Sequence, residues 1–138
     1  MAKETALSTS ILPRNQSKNS FCPIRDIMAN YSDKWSLCTI MLLGKQKKLR
    51  FSALRFGIAG ISQRMLTVTL RSLEQDGLVL RILYHELPPR VEYSLTPLGT
   101  SLFQQIQNMS DWATENAPSI LENRKKNQAI RVNAERQV

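Results

Sequence analysis

Along residues 21–113 the apolar positions follow two periods, and elements end where the period changes. Ile24, Ile27, Met28 and Tyr31 recur at i, i+3, i+4 and i+7 behind Pro23, which suits a first helical position, so a helix is predicted to open near Phe21. A second helix is predicted from about Asp33 to Leu43. Trp35, Leu37, Cys38, Ile40, Met41, Leu42 and Leu43 make it apolar nearly all round, which places it centrally, with Cys38 as core packing and Gly44 as its stop. After the connector KQKKLR, Ser52 is positioned to cap a short helix carrying Ala53, Leu54 and Phe56 and ended by Gly57 and Gly60.

The stretch ISQRMLTVTLRSLEQDGLVLR, Ile61 to Arg81, holds the most complete helical signal. Leu66, Leu70 and Leu73 form one stripe, Ser62 stands as N-cap, and Ile61 and Leu66 are spaced as a hydrophobic staple. Gly77 sits where a left-handed closing residue is wanted, with Leu73 and Leu78 placed for the accompanying apolar contact. This predicts about 15 residues, roughly 22 Å of helix. Arg64, Thr67, Val68, Arg71 and Gln75 project from the side opposite the leucines.

From Leu78 the period falls to two, and LVLRILYHELPPRVEYSLT predicts two strands joined by a loop containing Pro88 and Pro89. Val91, Tyr93 and Leu95 alternate with Arg90, Glu92 and Ser94, which predicts one buried and one exposed face. Thr96 then caps a long helix with Pro97 at its first position. Its stripe of Leu98, Leu102, Ile106, Met109 and Ala113, with Trp112 beside it, runs further than one small core needs. Residues 1–20 lack periodicity and read as a flexible tail, residues 118–138 as a basic, polar tail, leaving one domain over 21–117.

Charge narrows the choice of partner. The net charge is +8, and between Asp33 and Glu74 there is no acid, while Lys34, Lys45, Lys47, Lys48, Arg50, Arg55, Arg64 and Arg71 fall inside that stretch. A field of one sign around a helix favours nucleic acid over plain solvation, and an acidic membrane fits less well because the apolar positions suit a core. The start of the chain lacks the apolar block of a signal peptide, and no run approaches a membrane span, so a cytoplasmic protein is expected.

Cys22, Cys38 and the single His85 make no plausible zinc set, and neither a metal nor another cofactor is expected. Catalysis would need convergent acid, base or nucleophile groups; His85 stands alone, the acids are scattered and no glycine-rich phosphate loop is present, so no enzyme is expected. Helix, helix, short helix, long capped helix, hairpin, long helix is the order of a winged helix-turn-helix, whose second motif helix enters the DNA major groove.

Five stretches in register sharpen this: CPIRDIM with Cys22 and Pro23, DKW at Asp33 to Trp35, LRFSAL at Leu49 to Leu54, ISQRMLTVTLRSLEQDGLV from Ile61, and PPRVEYSLTPLG at Pro88 to Gly99. On these the chain, over about residues 21–113, closely resembles the HxlR-type family of bacterial and archaeal winged-helix transcription regulators, relatives of the MarR group. It departs from the family pattern at Ala53, where an acidic residue is common, and at His85, where a proline is common.

The resemblance implies a mainly α fold with a small β-hairpin wing, a winged helix-turn-helix with a long C-terminal dimerisation helix. It also implies a sequence-specific regulator that binds double-stranded DNA as a homodimer on a pseudo-palindromic operator. Arg64 and Arg71 are then candidates for phosphates or guanine edges, Gln63 and Thr67 for base hydrogen bonds, Val68 for a thymine methyl, and Ser62 for a phosphate. Arg50 joins the candidate contacts, and Arg90, with Arg81, is expected by the hairpin tip, within reach of the minor groove or backbone.

Cys22 is a candidate sensor, because family members use a cysteine there against oxidants or electrophiles. Its place at a helix N-terminus, with Arg25 one turn on, favours a thiolate. An unreactive, partly buried cysteine is the alternative, as are a small-molecule effector without a thiol switch and a winged helix used only for protein contacts.

Overall fold

In the computed structural model, which describes residues 20–137, the local signals read above terminate most of the elements. The chain divides after Asp33 into two compact units, Met1–Asp33 and Lys34–Val138. The expected tail of residues 1–20 lies, apart from Ser20, outside the described residues.

In the first unit, the predicted opening helix is cut short. Helix α1 covers only Pro23–Asp26 and is followed by a 3₁₀ turn, Met28–Asn30. Neither piece buries a residue, and Ile24, Ile27 and Met28 are exposed, so the apolar repeat does not translate into a continuous amphipathic helix. Asp26 holds the start: its carboxylate accepts from the Cys22 backbone N–H at 2.6 Å.

The second unit carries the rest of the elements: α2 Lys34–Gln46, β1 Lys48–Arg50, α3 Phe51–Gly57, α4 Gln63–Gln75, β2 Val79–Tyr84, β3 Arg90–Leu95 and α5 Pro97–Arg136. Its core is Ile40, Leu43, Leu54, Leu66, Leu70 and Leu73, all but inaccessible to solvent, with Ile58, Ile61, Leu78, Val79 and Ile106 around them.

Two expectations about α2 are corrected. Cys38 is exposed, because Ser36 and Thr39 take the inward side along with Ile40 and Leu43, and the Thr39 hydroxyl is satisfied by donating to the Trp35 carbonyl at 2.7 Å. Gly44 does not end the helix. It lies within α2, where a side-chain carbon would run into the Phe103 ring of α5, so the glycine is what lets the two helices meet. The chain turns out of α2 at Lys47, with φ of 69°.

The connector after α2 is a strand. β1 pairs antiparallel with β3, Leu49 opposite Tyr93 and Arg50 opposite Glu92, making a three-stranded sheet of order β1-β3-β2 instead of a lone hairpin. β3 is therefore central, and its six residues are all half-buried rather than alternately buried and exposed. Helix α3 begins after Arg50, not Ser52, and has no side-chain cap.

Helix α4 matches its signals. The Ser62 hydroxyl accepts from the Met65 backbone N–H at 3.0 Å, and Ile61 and Leu66 are both buried as a staple requires. At the far end Gly77 takes φ of 75°, its N–H donates to the Glu74 carbonyl at 3.0 Å, and the Leu78 N–H donates to the Leu73 carbonyl at 2.9 Å, the paired closure of a Schellman motif.

Immediately beyond, Thr96 joins α4 to α5. Its hydroxyl donates to the Gly77 carbonyl and accepts from the Gly99 N–H, its own N–H donates to the Leu78 carbonyl at 3.0 Å, and that carbonyl rests against Gly99. Helix α5 then runs 40 residues, through Pro118, so the basic segment from 118 is helical to Arg136. Leu121, Glu122, Arg124, Lys125, Lys126, Gln128 and Ala129 are good helix formers, and Lys126 pairs with Glu122 at 3.3 Å one turn back.

Candidate nucleic-acid interface

The leucine stripe of α4 fixes which side chains it presents. With Leu66, Thr69, Leu70 and Leu73 buried, Ser62, Gln63, Arg64, Val68, Arg71 and Gln75 are exposed and Thr67 is half-exposed. Arg64, Thr67, Val68, Arg71 and Gln75 fall at i, i+3, i+4, i+7 and i+11 and form one face. Among the described residues, Arg64 and Arg71 form neither hydrogen bond nor ion pair, so their donors are available to an outside acceptor. Thr67 is partly committed: its hydroxyl donates to the Gln63 carbonyl at 2.8 Å, which leaves the oxygen as an acceptor and the methyl as an apolar contact.

Between α4 and the sheet runs an open groove of about 550 Å³. Gln63, Thr67, Arg71 and Glu74 line it from the helix, Arg81 and Tyr93 from the strands, and Phe51 and Leu70 complete it. Arg81 stands opposite Tyr93 in the strand register, so the two share a face of the sheet. The groove thus gathers two guanidinium groups, an amide and the Tyr93 hydroxyl, a set of donors suited to phosphate and sugar oxygens, with Glu74 as its single carboxylate.

Not all the residues picked from the sequence meet there. Arg64 and Val68 belong to the outer side of α4. Arg50 lies opposite Glu92, out of register with the Arg81–Tyr93 pair and hence on the other face of the sheet.

Arg90 flanks the hairpin tip, as expected, but its charge is already engaged. It opens β3 opposite Tyr84, with its guanidinium 4.1 Å from the centre of that ring, 3.2 Å from Glu86 and 3.6 Å from Glu92. Arg81, expected beside it, is instead mid-strand. The tip is His85 to Pro89, with Leu87 fully exposed. Sequence reasoning also missed Tyr93, taken for a buried strand residue, and the exposed α3 residues beside Gln63; the i, i+3, i+4 spacing of Ser52, Arg55 and Phe56 is the signal that would have shown the latter.

Cys22 is partly buried at the start of α1. The guanidinium set against it in the sequence reading is engaged elsewhere: Arg25 donates to Asp26 at 2.9 and 3.1 Å and to the Ser20 carbonyl at 2.6 Å. The Arg25 bond, and then the Cys22 backbone N–H, hold the Asp26 carboxyl below the usual carboxylate range. Among the described residues no group of three His, Cys, Asp or Glu side chains is arranged to hold a metal, and no helix is long and apolar enough to cross a membrane.

Comparison with known proteins gives this geometry a context. Residues 31–120 match the profile of the HxlR-like helix-turn-helix family. The chain is 40% identical over 100 residues to the HTH-type transcriptional regulator YtfH of Escherichia coli K12, covering 72% of this chain and 79% of that one. The structure of a YtfH regulator from Salmonella typhimurium superposes with a TM-score of 0.67 at 38% identity, covering 75% of this chain and 92% of that one. That of the redox regulator HypR, in its reduced form, gives 0.66 at 38% identity, with coverage of 73% and 98%.

Proposed function

The chain belongs to the HxlR-like helix-turn-helix family of transcriptional regulators, and from that premise we propose that it binds a pseudo-palindromic operator in double-stranded DNA as a homodimer, with α4 in the major groove. The observation that carries this reading is the unengaged outer face of α4. Arg64 and Arg71 project from a helix capped at both ends, within a 40-residue stretch without a carboxylate. Arg64 and Val68 on the outer side address base edges, while Gln63, Thr67, Arg71 and Arg81, facing the groove, hold the adjoining strand, with Ser62 at the helix start on a phosphate. Arg50 and Arg90 take no leading part.

A twofold dimer is supported by α5. Ile106 turns into the protein's own core, but Leu98, Met109 and Trp112, spaced along another side of the same helix, are exposed at 59%, 67% and 60%. Two copies laid together along that side would cover them and present two α4 helices to half-sites about one DNA turn apart, or a multiple of it.

Cys22 gives the protein a response to oxidants, a reading supported by the likeness to HypR and by the thiol's place at the start of α1. Selecting bound fragments from genomic DNA, with and without mild peroxide, tests the whole reading. A recurring twofold-symmetric sequence is expected, lost or altered by peroxide in the native protein and unaffected in Cys22→Ser. Recovery of no enriched sequence overturns operator binding; an operator whose binding ignores peroxide, with Cys22 unmodified by mass spectrometry, removes the switch alone.

A further inference from the structure

Helix α3 is amphipathic in an unusual sense. Its inward residue, Leu54, is completely buried, while Ser52, Arg55 and Phe56 share the outer side, and Phe56 is 94% exposed. A phenyl ring that open to water contributes almost nothing to the fold that carries it. Its neighbours set its environment: Phe51, Ser52, Arg55, Phe56 and Gln63 line one open groove of about 460 Å³ between α3 and the first turn of α4. Gln63 lines this groove and the one beside the sheet, so the ring adjoins the surface assigned above to DNA.

We propose that Phe56 is itself a DNA contact, its ring laid against the deoxyribose edge of the strand that passes the α4 N-terminus, with Arg55 on the neighbouring phosphate. This rests on the DNA-binding reading of α4 and extends it to the preceding helix. The first helix of a helix-turn-helix pair crosses the nucleic-acid backbone rather than entering the groove, which puts sugars and phosphates, not base edges, opposite α3. A sugar offers carbon-bound hydrogens to a ring, and the cation one residue away meets the charge that flanks every sugar. A protein partner is a poorer match, because beside the two rings, of which Phe51 is half-buried, the groove is lined by a guanidinium, an amide and a hydroxyl, with no carboxylate and no aliphatic side chain among its lining residues to build a hydrophobic centre.

Contact with sugars has a signature distinct from phosphate pairing and from base reading. Phe56→Ala should bind about tenfold more weakly to the operator and to an unrelated duplex alike. The slope of log affinity against log salt should stay unchanged, since no counterion is involved. Phe56→Lys, placing a cation at the same spot, should steepen that slope by about 0.9. Both variants should melt with the native protein, because the ring is outside the core.

Fluorescence anisotropy over a salt series, on the selected operator and on a scrambled duplex of equal length, reads all of this. Equal affinity of native protein and Phe56→Ala overturns the proposal, as does a Phe56→Lys slope equal to the native one, or a loss confined to self-association in sedimentation runs without DNA. Failure of the native protein to bind any duplex in dilute buffer overturns the α4 reading itself, a result separable from the others.

Discussion

On α4 the guanidinium groups of Arg64 and Arg71 stand exposed with no described partner, while on the hairpin the guanidinium of Arg90 has Glu86 and Glu92 at its nitrogens and the Tyr84 ring beneath it. The same side chain is thus put to opposite uses on two neighbouring elements. A cation that already has its anions gains little from a phosphate, since the new bond must compensate for the old ones; a free cation gains the whole contact and releases a counterion. The number of basic residues near a groove is therefore a poor measure of its pull on DNA. What counts is how many the protein has left unspent.

The largest effect should come from the free pair. Arg64→Ala with Arg71→Ala is expected to weaken operator binding by about a hundredfold and to flatten the salt slope by up to about two, measured by anisotropy titration. Arg64→Ala alone should either relax preference at one base position or lower the slope by about one, which separates base reading from phosphate pairing. If the double replacement is silent in both respects, the contrast between the two elements has no functional meaning.

A middle-sized effect of a different kind is expected from Arg90→Ala. It should lower the melting temperature by roughly 4 °C, through loss of about 1 kcal/mol of cation-ring and ion-pair stabilisation, yet leave duplex affinity within about twofold below that temperature. A variant that melts like the native protein but loses DNA would reverse the assignment. The smallest change should come from Thr67→Val. Because the hydroxyl proton is held by Gln63, the methyl is what the outside meets, and affinity should stay within about threefold, whereas Thr67→Ser, which lacks that methyl, should bind more weakly.

The contrast between the elements also explains what was readable beforehand. Helix α4 announced itself because its period, its serine cap, its staple and its closing glycine are all decided within a turn or two of chain. The sheet did not, because its determinants are distant in sequence. Lys48 to Arg50 read as a basic connector, and only pairing with Glu92 to Ser94, more than 40 residues later, makes it a strand.

The partners of Arg90 were not legible for a related reason: they are set by the path of the hairpin. Cys38 shows the limit of an all-round apolar segment, since periodicity cannot say which side of such a helix is left open. Phe56 was seen as an apolar position and grouped with Leu54, although half a turn separates a core residue from one in open water. The Cys22 neighbourhood was legible only as spacing; the commitment of Arg25 to Asp26 needed coordinates.

The seam at Thr96 has a mechanical side. A pivot usually needs slack backbone, and here the carbonyls of Gly77 and Leu78, just past the end of one rod, are tied through a single hydroxyl and two amides to the start of another. With 40 residues in α5, about 60 Å of lever, a tilt of about 5° at the seam corresponds to roughly 5 Å of travel at the distal tip. A small rotation at the seam is thus expressed at the far end of the helix as a displacement many times larger than the motion that caused it.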